Sequence, residues 1–292
     1  MTTFIQVLIA GLGQGSVYAI MALGLTLILR STTVLNFSHG ALYMAAAFIA
    51  LELIRAGISY ALAVVIAVAA VALIGAIINF VAFQPLLHKE HVTQVFATFA
   101  MSSIIIGIVG YMTVDQRGMP PILPMQSVRV GSITFNPQYL IMIGVLVVAG
   151  TALALFFRYT RAGVIIRAST DNLRGATLVG INVRRVFLIM WSLGATLAAI
   201  AGILAAPTTL VSATMGDTPM ITALAAMTLG GFGSIPGSVL GGLLMGLLET
   251  GGNFYVSTQL GGVAGFIAVF LLLVIRPRGL QGSGRHVEVR RV

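Results

Sequence analysis

The chain has no cysteine. Disulfides, thiolate metal sites and a cysteine nucleophile are therefore excluded at the outset. Lysine is nearly absent as well. The single one, Lys89, follows His88, so there is no G-x4-G-K-[ST] phosphate loop and no P-loop ATPase site in this chain. Charge of either sign is scarce. Only 8% of the 292 residues are charged, against about 25% in an ordinary soluble domain. Meanwhile 58% are hydrophobic and the mean hydropathy is +1.05. So few charges cannot cover the surface of a soluble fold of this length. The opening Met1-Thr2-Thr3-Phe4 has neither a basic n-region nor a small-residue cleavage site, so the first apolar run is expected to be retained.

What is present is apolar sequence in runs long enough to span a bilayer, at roughly 20 residues each. Nine segments stand out, approximately 4–29, 34–54, 60–84, 92–114, 139–157, 186–206, 218–233, 238–256 and 262–276. The expected fold is a single-domain (1–292), all-α polytopic membrane protein of about eight to nine transmembrane or re-entrant helices. Segment 218–233 is short and broken by glycine, which suggests re-entry, tolerated only where protein or a wet cavity satisfies the backbone. The net charge is +9, and eleven of sixteen basic residues fall in two stretches, Arg158–Arg185 and Arg276–Arg291. Both lie outside the apolar runs, as the positive-inside rule requires, so the charge reads as topology and not as nucleic-acid binding. With these stretches and the C-terminus in the cytoplasm, Gln84–His91 is cytoplasmic. Loop 114–138 and the N-terminus then face outward. In that loop Val128-Arg129-Val130 and Ile133-Thr134-Phe135 flank Gly131-Ser132, the pattern of a hairpin with a glycine-first turn. It is either a connector or a docking surface.

Four features carry functional expectations. In the cytoplasmic stretch, Ser169, Thr170 or Asp171 is placed to cap a short helix that Gly180 closes in the left-handed conformation, with Leu173, Ala176 and Val179 on one apolar face. That face is too small to anchor in a membrane, which favours docking into a partner's cleft. Small residues recur every fourth position at Gly11/Gly15, Gly194/Ala198/Gly202, Gly237/Gly241 and Gly242/Gly246, the spacing that lets helix backbones approach closely. Helical geometry puts Glu249 and Asn253 on the Gly242/Gly246 face, so Glu249 is expected away from lipid, either lining a path or pinning helix register. Glu52, near a segment end beside Arg55, reads as interfacial. Finally, Asn36-Phe37-Ser38-His39-Gly40 sits where one apolar run gives way to the next. Asn36 or Ser38 is placed to cap the second helix, and His39 has no second ligand at metal-binding spacing, so no metal is expected. A faint repeat relates Gly13-Gln14-Gly15-Ser16 with Gly24-Leu25 to Gly231-Phe232-Gly233-Ser234 with Gly242-Leu243, in segments that run in opposite directions.

Four ordered blocks resemble the permease subunits of branched-chain amino-acid ABC importers, of the LivH type. They are Gly15-Ser16-Val17-Tyr18-Ala19 with Ala22-Leu23-Gly24; Asn36-Phe37-Ser38-His39-Gly40 with Tyr43-Met44; Arg158–Gly163 with Arg167-Ala168 and Leu178–Asn182; and Gly230–Gly237 with Gly241-Gly242. The family more often has Ala at the position of Ser38. The resemblance implies an importer completed by a second related permease, two ABC ATPase subunits that hold ATP and Mg, and a periplasmic or lipid-anchored solute-binding protein, all at the bacterial inner membrane. No cofactor is expected in this chain. Under the resemblance, Arg167, Thr170, Asp171, Leu173, Arg174, Leu178, Val179 and Gly180 belong to the ATPase-coupling element. Substrate-path candidates are Gln14, Ser16, Asn36, Ser38, His39, Glu249 and Asn253. Relatives handle urea and short amides, so these solutes, and a secondary transporter or channel for a small neutral solute, stand as alternatives.

Overall fold

A computed structural model describes residues 2–113, 115–123, 127–276 and 279–281; the expected cytoplasmic placement of 282–292 lies outside them. Helices account for all nine apolar segments. In order they are α1 (Thr2–Thr32), α2 (His39–Arg55), α3 (Tyr60–Ile78), α4 (His91–Met112), α5 (Pro137–Tyr159), α6 (Arg161–Asp171), α7 (Leu173–Leu178), α8 (Val183–Ala205), α9 (Asp217–Gly230), α10 (Ile235–Tyr255) and α11 (Thr258–Ile275). Among the described residues, five are long and apolar enough to cross a membrane by length and composition: α1, α3 with its extension to Leu86, α4, α5 and α8. α9 has 14 residues, about 21 Å at 1.5 Å per residue, and falls short of the roughly 30 Å hydrocarbon core.

The bundle is organised around α1. The most apolar window of α1 is 83% buried, against 17% for α4 and α5. α1 is the least apolar of the five candidate spans, with a mean hydropathy of 1.7 against 3.0 for α3, so it is less suited to lipid than they are, and its small residues admit close neighbours. Gly11 and Gly15 of α1 abut Leu247, Gly246 and Leu243 of α10, while Gly242 of α10 abuts Ala19. Position numbers rise on one helix as they fall on the other, so the pair is antiparallel. Gly237 and Gly241 lie five positions before Gly242 and Gly246, about 140° round the helix, and face Gly230 and Ala226 of α9 instead. One helix thus presents two small-residue stripes to two partners. On α8, Gly194 meets Gly24 and Ile28 of α1, and Gly202 meets the Tyr43 backbone of α2. The faint repeat does not extend to local conformation: Gly13–Ser16 lie inside α1, whereas Gly231 (φ 106°) and Gly233 (φ 77°) form the irregular link between α9 and α10. Only glycine enters such a link without strain.

The two ends of the bundle sort as expected. Gln84, which follows a π-helical turn over Asn79–Phe83, donates from Nε2 to Asn79 Oδ1 (2.9 Å) and to the Arg184 carbonyl (3.4 Å), joining loop 84–91 to the basic stretch. Residues 279–281 return to this end, where the Leu280 and Gln281 amides donate to the Leu229 and Gly230 carbonyls at 2.9 and 3.0 Å. At the opposite end the hairpin β2 (Val128–Val130) and β3 (Ile133–Phe135) forms, with Gly131 at φ 62° in the turn. Gln6 of α1 donates to the Thr134 carbonyl there (2.9 Å). A second pairing was not legible in sequence: β1 (Arg117–Gly118) runs antiparallel to β4 (Leu210–Val211). Arg117 is also anchored, since its Nη1 donates to Glu52 Oε1 at 2.8 Å, nearer than Arg55 at 3.7 Å. An arginine at the end opposite the basic stretch, contrary to the charge bias, thus has a specific carboxylate partner.

Candidate functional site

At the basic end, α6 closes at Asp171 and Asn172 begins α7, its Oδ1 accepting from the Gly175 amide at 3.0 Å. The capping residue is therefore Asn172, and the expectation of Ser169, Thr170 or Asp171 is corrected. Those three form the last turn of α6, where Ser169 and Thr170 bond backward to the Ile165 (2.8 Å) and Arg167 (2.9 Å) carbonyls. Gly180 closes the unit at φ 83°, as the sequence required. The expected single apolar face is divided. Ala176 is buried, whereas Leu173, Leu178 and Val179 are 45%, 88% and 76% exposed. Arg167 and Arg174 are exposed beside them, and Asp171 is exposed at the end of α6. Beneath lies a groove of about 360 Å³ lined by apolar residues including Ile165, Ile166, Ile181 and Ile189, with Arg185 at its wall. α7 is thus a six-residue capped unit with bare aliphatic side chains, flanked by cations.

The path candidates fall into two groups on α1. In the upper group, Tyr18 interacts with both Gln14 and Glu249. Glu249 is half-buried and turned toward α1, on the side of Gly242 and Gly246. Ser16 is buried but spends its hydroxyl on the Leu12 carbonyl of its own helix (2.7 Å). Asn253 is farther out, in an open groove of about 330 Å³ between the start of α1 and the end of α10, with Thr3, Gln6 and Thr250.

The lower group gathers at Gly24, six residues past Tyr18 on α1 and about 9 Å away. His39 packs against Gly24, at a place where any Cβ would collide with the imidazole. Asn36 Oδ1 accepts from the Ser38 amide (3.0 Å) and hydroxyl (2.6 Å). Neither side chain caps the first turn of α2, contrary to expectation: Ser38 occupies the cap position, but its hydroxyl is turned to Asn36. Asn36 Nδ2 has no hydrogen-bond partner among the described residues, and the imidazole of His39 has only the Met21 backbone of α1 beside it, although Asn36, Ser38 and His39 are at most 1% exposed. Buried polar atoms of this kind are rare and require an explanation.

Sequence reading missed four polar contributors. Thr26 and Ser238 share a buried hydroxyl–hydroxyl bond of 2.5 Å that ties α1 to α10. Thr98 of α4 accepts from the Phe37 amide at 3.0 Å and so holds the link between α1 and α2. Asp217 opens α9 and is exposed; its signal was an acid immediately before the short, glycine-broken segment 218–233. Among the described residues no group of three His, Cys, Asp or Glu is arranged to hold a metal ion.

Comparison with known proteins bears on this arrangement. Residues 7–276 match the family described as "Branched-chain amino acid transport system / permease component". The chain is 30% identical over 295 residues to the high-affinity branched-chain amino acid transport system permease protein LivH of Salmonella typhimurium, covering 96% of each chain. It is 31% identical over 296 residues to the permease protein BraD of Pseudomonas aeruginosa, again covering 96% of each. The ribose import permease protein RbsC of Escherichia coli is 29% identical over 256 residues, 83% of this chain and 76% of that one.

Proposed function

The chain belongs to the branched-chain amino acid transport permease family, and from that premise we propose that it forms half of the translocation path of an ABC importer for branched-chain amino acids. The complex contains a second related permease, two ATPase subunits that hold ATP and Mg, and an external solute-binding protein. The basic end and the C-terminus face the cytoplasm. One observation carries the assignment: the capped unit Asn172–Gly180 stands out from the bundle with Leu178 88% exposed. Aliphatic side chains so exposed in a small folded unit need a covering surface, and Arg167, Arg174 and Arg185 nearby suit an acidic one. Hydrolysis on the ATPase subunits would reach the membrane through this contact. Solute selection rests mainly with the external binding protein.

The test uses the complete complex. With Leu178→Asp, solute-stimulated ATP hydrolysis is expected to fall at least about tenfold, because a carboxylate replaces an apolar anchor, while the membrane subunits still co-purify. Stimulated hydrolysis at the wild-type level would remove the coupling role. Labelled leucine uptake, challenged with unlabelled urea and ribose, decides the solute class. Competition by either compound in place of isoleucine or valine would redirect it.

A further inference from the structure

The start of α9 lies deep in the bundle. Its N-cap, Gly216, abuts Gly40, the second residue of α2, so closely that a Cβ on either would overlap the other's backbone. The outer end of α2 is fixed by the Glu52–Arg117 ion pair. Gly40 is twelve residues before Glu52, so this contact sits about 18 Å below that end. From β4, which is bonded to the outer loop at Arg117–Gly118, five residues lead down from Val211 to Gly216. That stretch is folded into turns, the Met215 and Asp217 amides donating to the Ser212 and Thr214 carbonyls, so the height of Asp217 is set by the Gly40 contact. Asp217 follows that contact directly and is exposed there, with Thr218 and Ile221 beside it.

Among the described residues, no cation and no side-chain hydrogen bond engages the Asp217 carboxylate. A bare carboxylate at that depth is costly against lipid, and such residues face a bundle interior or a water-filled cavity. On the other side of the Gly40–Gly216 contact is the unpartnered, fully buried amide nitrogen of Asn36. An acceptor on one side and an unused amide donor on the other complement a zwitterion. Resting on the importer reading above, we propose that Asp217 lines the solute path and receives the ammonium group of the amino acid as it passes the α2–α9 contact. Asn36 is turned to the solute carboxylate when that contact opens.

The natural absence of cysteine permits a direct test on the full complex. Thr218→Cys and Ile221→Cys are expected to react with water-soluble thiosulfonates. Val148→Cys, at the middle of exposed α5, is not. At Thr218→Cys a trimethylammonium reagent should gain severalfold over a sulfonate reagent, and adding Asp217→Asn should abolish that preference. Leucine uptake per assembled complex should fall roughly tenfold in Asp217→Asn and recover in Asp217→Glu. Failure of both cysteines to react, or a charge preference untouched by Asp217→Asn, would overturn the proposal. So would Asp217→Asn complexes that assemble poorly yet transport normally per complex, since that marks a structural contact. A wild-type complex that accumulates no leucine defeats the importer reading instead, while the reagent preference still judges Asp217.

Discussion

At the scale of single residues, the acid visible in the sequence and the acid revealed by the fold occupy different settings. Glu249 is turned inward and keeps company with Tyr18 and Gln14, whereas Asp217 is exposed without an ionic partner among the described residues. The first arrangement is that of a register pin between α1 and α10. Interhelical polar pairs in membranes are worth about 0.6 kcal/mol on average and at most about 1.7. Tyr18→Phe and Glu249→Gln are therefore each expected to destabilise the purified protein, with a coupling of about 0.5–1.5 kcal/mol between them. A double-mutant cycle of unfolding free energies measures it. Additive effects, with uptake per complex lost in Glu249→Gln, would move Glu249 to the solute path.

At the scale of elements, glycine decides which helices meet. The fourth-residue spacing on α1, α8 and α10 was readable directly, because each stripe must face something that tolerates close backbones. Which stripe meets which was not readable, since Gly237/Gly241 and Gly242/Gly246 carry the same pattern and turn to different neighbours. Gly202→Val puts a branched side chain into the Tyr43 carbonyl, and overpacking of that kind costs about 1–3 kcal/mol or more. Folded yield and thermal stability should fall sharply. Gly150→Ala on α5, with nothing within 4 Å, is expected to leave both unchanged or slightly raised, since alanine favours helix. Equal behaviour of the two variants would refute the packing assignment. The same limit applied to the caps. Asn, Ser, Thr and Asp all suit an N-cap, and 169–172 contains all four, so only the fold could select Asn172.

At the scale of the whole molecule, sidedness is the property with most consequence for function. The basic stretch, loop 84–91 and residues 279–281 share one end, and the N-terminus, the hairpin and the Glu52–Arg117 pair share the other. Cysteines introduced at Thr170 and Ser127 should consequently label from opposite sides of the membrane. Intact cells should expose only the residue at 127 to an impermeant maleimide, and inverted vesicles only the residue at 170. Reversed labelling would invert the orientation and remove α7 from the side where ATP is hydrolysed.

Sequence alone determined that this is a helical membrane protein, how many apolar segments it has, and that it contains no P-loop. Those properties depend on totals and on local periodicity, which a bilayer converts into helices because every backbone group must be satisfied internally. The blocks around Tyr18, His39, Gly180 and Gly233 also carried the family resemblance, since they are contiguous in the chain. Tertiary structure decided what depends on depth and on distant pairs. It brought Arg117 to Glu52, Thr26 to Ser238, and Gly216 to Gly40, contacts that span between 65 and 212 positions. It thereby set Asp217 beside the start of α2. Hydropathy assigns a residue to a segment but not to a height within it, and height is what turns an ordinary helix-start aspartate into a candidate for contact with the solute.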